Sequence, residues 1–151
     1  MDRPTRVMAV ASGGGHWIQL RRLVPAMHDA SVEWVSTKAD YAKDLGGQHL
    51  HVVKDANQWD KLGLIKLFVQ VAWLVLRHRP EVIITTGAAP GFAAIMFGRW
   101  LGARTIWIDS IANSEELSGS GARAGRWAHV WLTQWEHLSR PEGPHYWGAV
   151  L

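Results

Sequence analysis

The sequence predicts an α/β protein built on a doubly wound parallel sheet, and three observations carry that expectation. Short apolar or β-branched runs alternate with helical patterns along the whole chain, as in successive βαβ units with right-handed crossovers. Two of the runs stop at small-residue turns, Ser12-Gly13-Gly14-Gly15-His16 and Thr85-Thr86-Gly87-Ala88-Ala89-Pro90-Gly91, and a third runs into the polar stretch Asp109 to Gly119. Ligands of open parallel sheets sit where such loops converge, outside the carboxyl ends of the strands.

Arg6 to Ala11 is short, apolar and bounded by a turn, which reads as a buried strand. The glycines after it let the backbone turn sharply and approach a ligand with no Cβ in the way. From Trp17 onward Ile18, Leu20, Leu23, Val24 and Met27 follow helical spacing, with Arg21 and Arg22 on another face. The helix N-terminus thus points back at the turn, and its amides suit a phosphate or diphosphate. A dinucleotide fingerprint starting at Gly13 requires glycine where Ile18 stands, and a Walker A loop requires Gly-Lys-Ser/Thr, so both are disfavoured. A tight turn in which His16 only caps or packs satisfies the same spacing.

Ser31 to Thr37 predicts a second strand, Ala39 to Leu45 a short helix ending at Gly46-Gly47, and His49 to Val53 a third strand. His49 and His51 share one face of that strand and amount to half a metal site. No cysteine or clustered carboxylate is seen to complete it, so an edge-strand surface is expected and no metal is assigned.

Lys61 to Arg79 is apolar around nearly its whole helical circumference. Leu62, Ile65, Val69, Ala72 and Leu76 are assigned to the sheet. Leu64, Leu67, Phe68, Val71, Leu74 and Val75 are left for a membrane surface, or for the chain's own domain or a partner subunit if the helix is a crossover buried on both sides. The apolar run is too short to span a hydrocarbon core, which needs about 20 residues. Lys61, Lys66, Arg77, His78 and Arg79 at its ends suit anionic headgroups.

Pro80 ends that helix, and Glu81 to Thr86 is a β-branched strand. A helix is expected over Phe92 to Leu101, a strand over Ala103 to Ile108, a helix from an N-cap at Ser118 through Arg126, and a sixth strand over His129 to Glu136. In the third loop Ser110, Asn113 and Ser114 suit hydrogen bonds to sugar or phosphate, and Asp109 and Glu116 are candidate bases. The same residues also satisfy ordinary loop chemistry.

A chain of 151 residues is the size of one domain, taken as 1–151. With 48% hydrophobic and 19% charged residues it is not disordered. The net charge of +3 comes without a basic run, which favours an anionic ligand or membrane surface and argues against nucleic acid. The absence of cysteine excludes a disulfide framework and thiolate chemistry. No hydrophobic leader precedes the first strand, so no secretory signal is expected. Ten scattered tryptophans suggest amphipathic surfaces that meet a partner or lipid.

Taken together and in order, Ser12-Gly13-Gly14-Gly15-His16, Thr85 to Gly91, Trp107-Ile108-Asp109-Ser110-Ile111-Ala112, Leu117-Ser118-Gly119 and Thr133-Gln134-Trp135-Glu136 resemble PssD-type bacterial polysaccharide glycosyltransferase subunits. They are similar too to the membrane-anchoring subunit of the eukaryotic UDP-N-acetylglucosamine transferase that adds the second sugar to dolichol-linked oligosaccharide, and more distantly to MurG, the lipid II synthase. The resemblance implies a Rossmann-like fold, the N-terminal, acceptor-binding half of a GT-B glycosyltransferase made as a separate chain.

It further implies a small donor-binding subunit as partner, a UDP-sugar donor and a polyprenyl-diphosphate-linked acceptor. The implied location is peripheral, on the cytoplasmic face of the inner (plasma) membrane. His16 is then the base or a diphosphate ligand, with Asp109 and Glu116 as alternative bases. Ser12, Gly13, Gly14, Gly15, Thr86, Gly87, Pro90, Gly91, Ser110, Asn113 and Ser114 are the candidate substrate contacts. No cofactor is expected, and no catalytic metal either, because amide donors can stabilise the leaving diphosphate and no DxD pair is present.

Overall fold

The computed structural model describes residues 2–150. Their strands form one seven-stranded sheet in the order β3-β2-β1-β4-β5-β6-β7, with every pairing parallel. The strands are β1 (Arg6–Val10), β2 (Ser31–Ser36), β3 (Leu50–Val52), β4 (Val82–Thr85), β5 (Arg104–Ile108), β6 (Val130–Thr133) and β7 (His145–Tyr146); the helices are α1 (Gly15–Arg21), α2 (Lys61–His78), α3 (Ala88–Trp100) and α4 (Gly119–Ala124). The expected doubly wound sheet is present. It gains β7, two residues paired with the end of β6 and too short for any periodicity to reveal.

Side chains along β1 alternate between two cores, as the pleat requires. Val7 and Ala9 join Trp17, Leu20, Trp34 and Leu45 on one face, whereas Met8 and Val10 join Val35, Leu67, Val71, Ile83 and Trp107 on the other. Burial on both faces is why the central strands read as apolar runs rather than alternating ones. From β1 the chain winds outward through β2 and β3, then crosses back to β4 and winds the other way. The loops leaving β1 and β4 therefore stand side by side at the point where the winding reverses.

Several helices differ from expectation in extent or type, α4 stopping at Ala124 rather than Arg126. Helix α1 ends at Arg21, and Val24–Met27 forms a separate 3-10 turn, because the Pro25 ring would clash with the Arg21 carbonyl in a continuous helix. Ala39–Leu45 is also 3-10, closed by a left-handed Gly46. Helix α3 begins at Ala88 rather than Phe92, with Pro90 in its first turn, where a missing amide removes no helical bond.

Helix α2 corrects the sequence reading more substantially, since its two faces are exchanged. Leu67, Val71 and Val75, expected to meet a membrane, are buried in the core, and Leu64, Phe68 and Leu74 pack beside them. The outward stripe is Leu62 (82% exposed), Ile65, Val69, Trp73 (62%) and Leu76. The charges explain the orientation. Lys66 lies one helical turn from both Leu62 and Val69, and Arg77 one turn from Trp73. Turning that stripe inward would drag unpaired cations into the core. Among the described residues no helix is long and apolar enough to cross a membrane.

Candidate functional site

The β1 and β4 loops are tied to each other by His16 and Thr86. The Thr86 hydroxyl donates to the His16 carbonyl at 2.6 Å, and His16 Nδ1 meets the Thr86 carbonyl at 3.0 Å. A carbonyl only accepts, so Nδ1 carries a hydrogen, and in the neutral ring the lone pair is on Nε2. The ring lies against Gly87, where a Cβ would come within 2.8 Å of Nδ1. Gly87 has φ 131° and the next residue, Ala88, φ 66°. A left-handed alanine at this turn is strained backbone of the kind that concentrates at functional sites.

The glycine turn is shaped by groups that spacing alone did not reveal. Gly14 adopts φ 70°, and its amide donates to the Tyr41 hydroxyl at 2.7 Å. Tyr41 in turn stacks on Trp17, ring centres 4.7 Å apart. The Lys38 side chain runs beside Gly13, its Cε 2.9 Å from where a Cβ would stand. The amides of Gly15, His16 and Trp17 begin α1 and have no partner within that helix. The loop thus presents backbone donors with a lysine alongside, although the Gly14 amide already has an acceptor.

The third loop is organised around Asp109, which is 1% exposed. One carboxylate oxygen accepts from Ser118 Oγ at 2.6 Å and Trp107 Nε1 at 3.2 Å. The other accepts from the Ser118 amide at 3.0 Å and Asn113 Nδ2 at 3.2 Å. Four donors on a buried carboxylate leave it no access to an acceptor sugar. As bonded here, Asp109 ties the third loop together, a geometry that speaks for positioning and against use as a base. Ser118 also caps α4, accepting from the Gly121 amide as the sequence indicated.

Ser110 is likewise engaged within the protein, accepting from Gln19 Nε2 at 3.1 Å and the Ala112 amide. Gln19 Oε1 receives the Ile111 amide and Gln134 Nε2, the latter at 2.6 Å. Gln134 Nε2 also donates to the Asp109 carbonyl, and its Oε1 accepts the Val150 amide. This buried amide relay fixes α1 against the third loop and the end of β6. Gln19 was the missed signal, a polar residue set between Trp17 and Leu20 on the buried face of a short helix.

Among the remaining candidates, Pro90 and Gly91 are buried, with Gly91 packed against the Thr85 side chain; they support the α3 start rather than face a ligand. Asn113 is turned onto Asp109, and the Ser114 carbonyl accepts from His137 Nε2 at 2.6 Å. Glu116 lies exposed on the loop and Ser12 half-buried where the glycine turn begins.

A second polar cluster joins Glu33 of β2, His51 of β3 and His78 at the end of α2. It supplies the carboxylate that spacing did not show beside His49 and His51. Partial burial lowers the His78 pKa below the ordinary histidine value, aided by His51, Arg77 and His49 and opposed by Glu33.

No family model matches the chain, and no curated protein matches its sequence. Solved structures do match its shape. MurG from Acinetobacter baumannii superposes with TM-score 0.71 at 14% identity, over 97% of this chain and 45% of that one. The fold is that of one Rossmann-like half of a GT-B glycosyltransferase. A glycosyltransferase from Rickettsia africae matches with TM-score 0.57 at 12% identity, over 82% of this chain and 34% of that one. The UDP-N-acetylglucosamine 2-epimerase from Rickettsia bellii gives 0.67 at 12% identity, over 89% and 40%. The chain therefore spans less than half the length of each of these proteins.

Proposed function

We propose that this GT-B half is the acceptor-side subunit of a two-component, inverting glycosyltransferase. It acts with a small donor-binding subunit, transferring a sugar from a UDP-sugar to a polyprenyl-diphosphate-linked acceptor in exopolysaccharide or capsule biosynthesis. The observation that carries the reading is His16, held at Nδ1 by the Thr86 carbonyl with Nε2 left basic, at the switch point beside the glycine turn.

In the step this supports, the acceptor hydroxyl oxygen forms a bond to the anomeric carbon while its proton passes to His16 Nε2. The bond from that carbon to the UDP oxygen breaks, and its electron pair leaves with UDP. Amides of the glycine turn and the Lys38 ammonium stabilise diphosphate charge. The outward stripe of α2, flanked by Lys61, Lys66 and Arg77, rests on the cytoplasmic face of the inner membrane as a peripheral contact.

The chain and its co-purifying donor-binding subunit, supplied with UDP-sugars and a polyprenyl-diphosphate acceptor, provide the test. His16→Ala is expected to reduce transfer by about 10²–10⁴-fold with the folded state intact. A wild-type rate in that variant overturns the assignment and favours a membrane scaffold that recruits a complete catalyst.

A further inference from the structure

We propose that Glu33, His51 and His78 bind one divalent transition-metal ion of the zinc class, and that the ion fastens the end of α2 to the sheet edge. One ligand atom from each residue lies within 4.8 Å of the others. His51 Nε2 is 2.7 Å from Glu33 Oε2, and His78 Nδ1 is 3.7 Å from Glu33 Oε1. Zinc bonds to nitrogen and oxygen of about 2.0–2.2 Å set neighbouring ligand atoms about 3.3–3.6 Å apart in a tetrahedron. The two spacings run to different oxygens of the Glu33 carboxylate and fall on either side of that range, and with all three ligand atoms within 4.8 Å of one another side-chain rotation brings them onto one ion.

Two imidazoles and one carboxylate select a borderline ion such as Zn²⁺ over Mg²⁺ or Ca²⁺, which prefer oxygen ligands. Three protein ligands leave the fourth position to water; His49 packs edge-on to His51, its ring centre 4.3 Å away, outside the ligand set. On binding, the hydrogen now held between His51 Nε2 and Glu33 gives way to the metal, and the neutral ring carries its hydrogen on Nδ1.

The placement indicates a structural role. The three residues come from three separate elements, with side chains 34%, 14% and 26% exposed for Glu33, His51 and His78. They are sheltered enough to be held yet open enough to load. Strand β3 is a three-residue edge element paired only with β2, and the metal would give it a second attachment. The cluster is carried by β2, β3 and the end of α2, none of which bears the His16 or Thr86 loop, so its metal uptake is measured apart from the proposed transfer.

The untagged chain is stripped with chelator and titrated with Zn²⁺ against a competing chromophoric chelator, with bound metal counted by mass spectrometry. One equivalent is expected. His51→Gln, His78→Gln and Glu33→Gln should each weaken binding at least about tenfold, while His28→Gln leaves it unchanged. If a variant fails to fold, long-range nitrogen NMR of the wild-type histidine rings decides: zinc should shift His51 Nε2 and His78 Nδ1. Failure to take up zinc stoichiometrically, unaltered uptake in folded His51→Gln/His78→Gln, or shifts confined to other histidines would overturn the proposal.

Discussion

Replacing Asp109 with asparagine separates a positioning carboxylate from a catalytic base. The carboxylate takes two donors on each oxygen, whereas an amide offers one accepting oxygen and one donating nitrogen. Whichever way the substituted amide turns, its nitrogen faces either the Ser118 amide with Asn113, or Ser118 Oγ with Trp107. In the first orientation two bonds are lost and the Ser118 amide faces another donor; in the second the Ser118 hydroxyl can accept from the new nitrogen and only the Trp107 bond is lost. Hydrogen bonds to charged groups contribute about 1.5–3 kcal/mol each and neutral ones about 1, so losing the long Trp107 bond and the charge behind the other three costs about 3 kcal/mol in all. For a chain of this size that lowers Tm by about 6–12 °C. Calorimetric unfolding of Asp109→Asn beside wild type measures it, with transfer assayed in the two-subunit system at a temperature where both are folded. A variant that unfolds at the wild-type temperature yet has no activity would refute the argument and make Asp109 the base.

Gly87→Ala places a methyl against the His16 ring at φ 131°. It should cost about 1–3 kcal/mol, displace the ring and lower transfer, and an unshifted His16 resonance would count against that contact. Ile65→Glu/Val69→Glu should weaken binding to anionic phosphatidylglycerol vesicles at least about tenfold without changing Tm, whereas Val71→Glu should unfold the chain; equal vesicle binding by the double variant would remove the membrane role of this stripe. His129 accepts the Thr105 amide at Nδ1, 3.0 Å away, and its pKa is lowered from 6.5 by partial burial and then by Arg99 and Arg104. Protons therefore bind the unfolded chain first, so this contribution is present above about pH 6.5 and is lost as pH falls through and below that value. Urea midpoints at about pH 7.5 and 5.5 should diverge less in His129→Gln than in wild type.

The fold class was legible because both faces of the sheet are covered, which makes strands such as Ile83-Ile84 continuous apolar runs set between helical patterns. The position of His16 beside the β4 loop was legible because a glycine turn between an apolar strand and a helix sets the next side chain at the carboxyl end of the sheet, whereas its bond to Thr86 was not. The faces of α2 were misread because both are apolar and periodicity cannot rank them; Lys66 held the answer, through the cost of burying a cation. Asp109 looked like a base because Ser118, nine positions downstream, gives no sign in sequence that it folds back onto the carboxylate. Glu33, His51 and His78 meet only through strand register and the length of α2, quantities set by tertiary packing.

The Tyr41 phenol on the Gly14 amide makes affinity at the glycine turn a competition. An anion that takes this amide must first dislodge an oxygen already seated there, and its measured binding reports the difference between two bonds rather than the strength of one. Because Tyr41 lies flat on the Trp17 indole, that exchange would be written into the light the tryptophan emits.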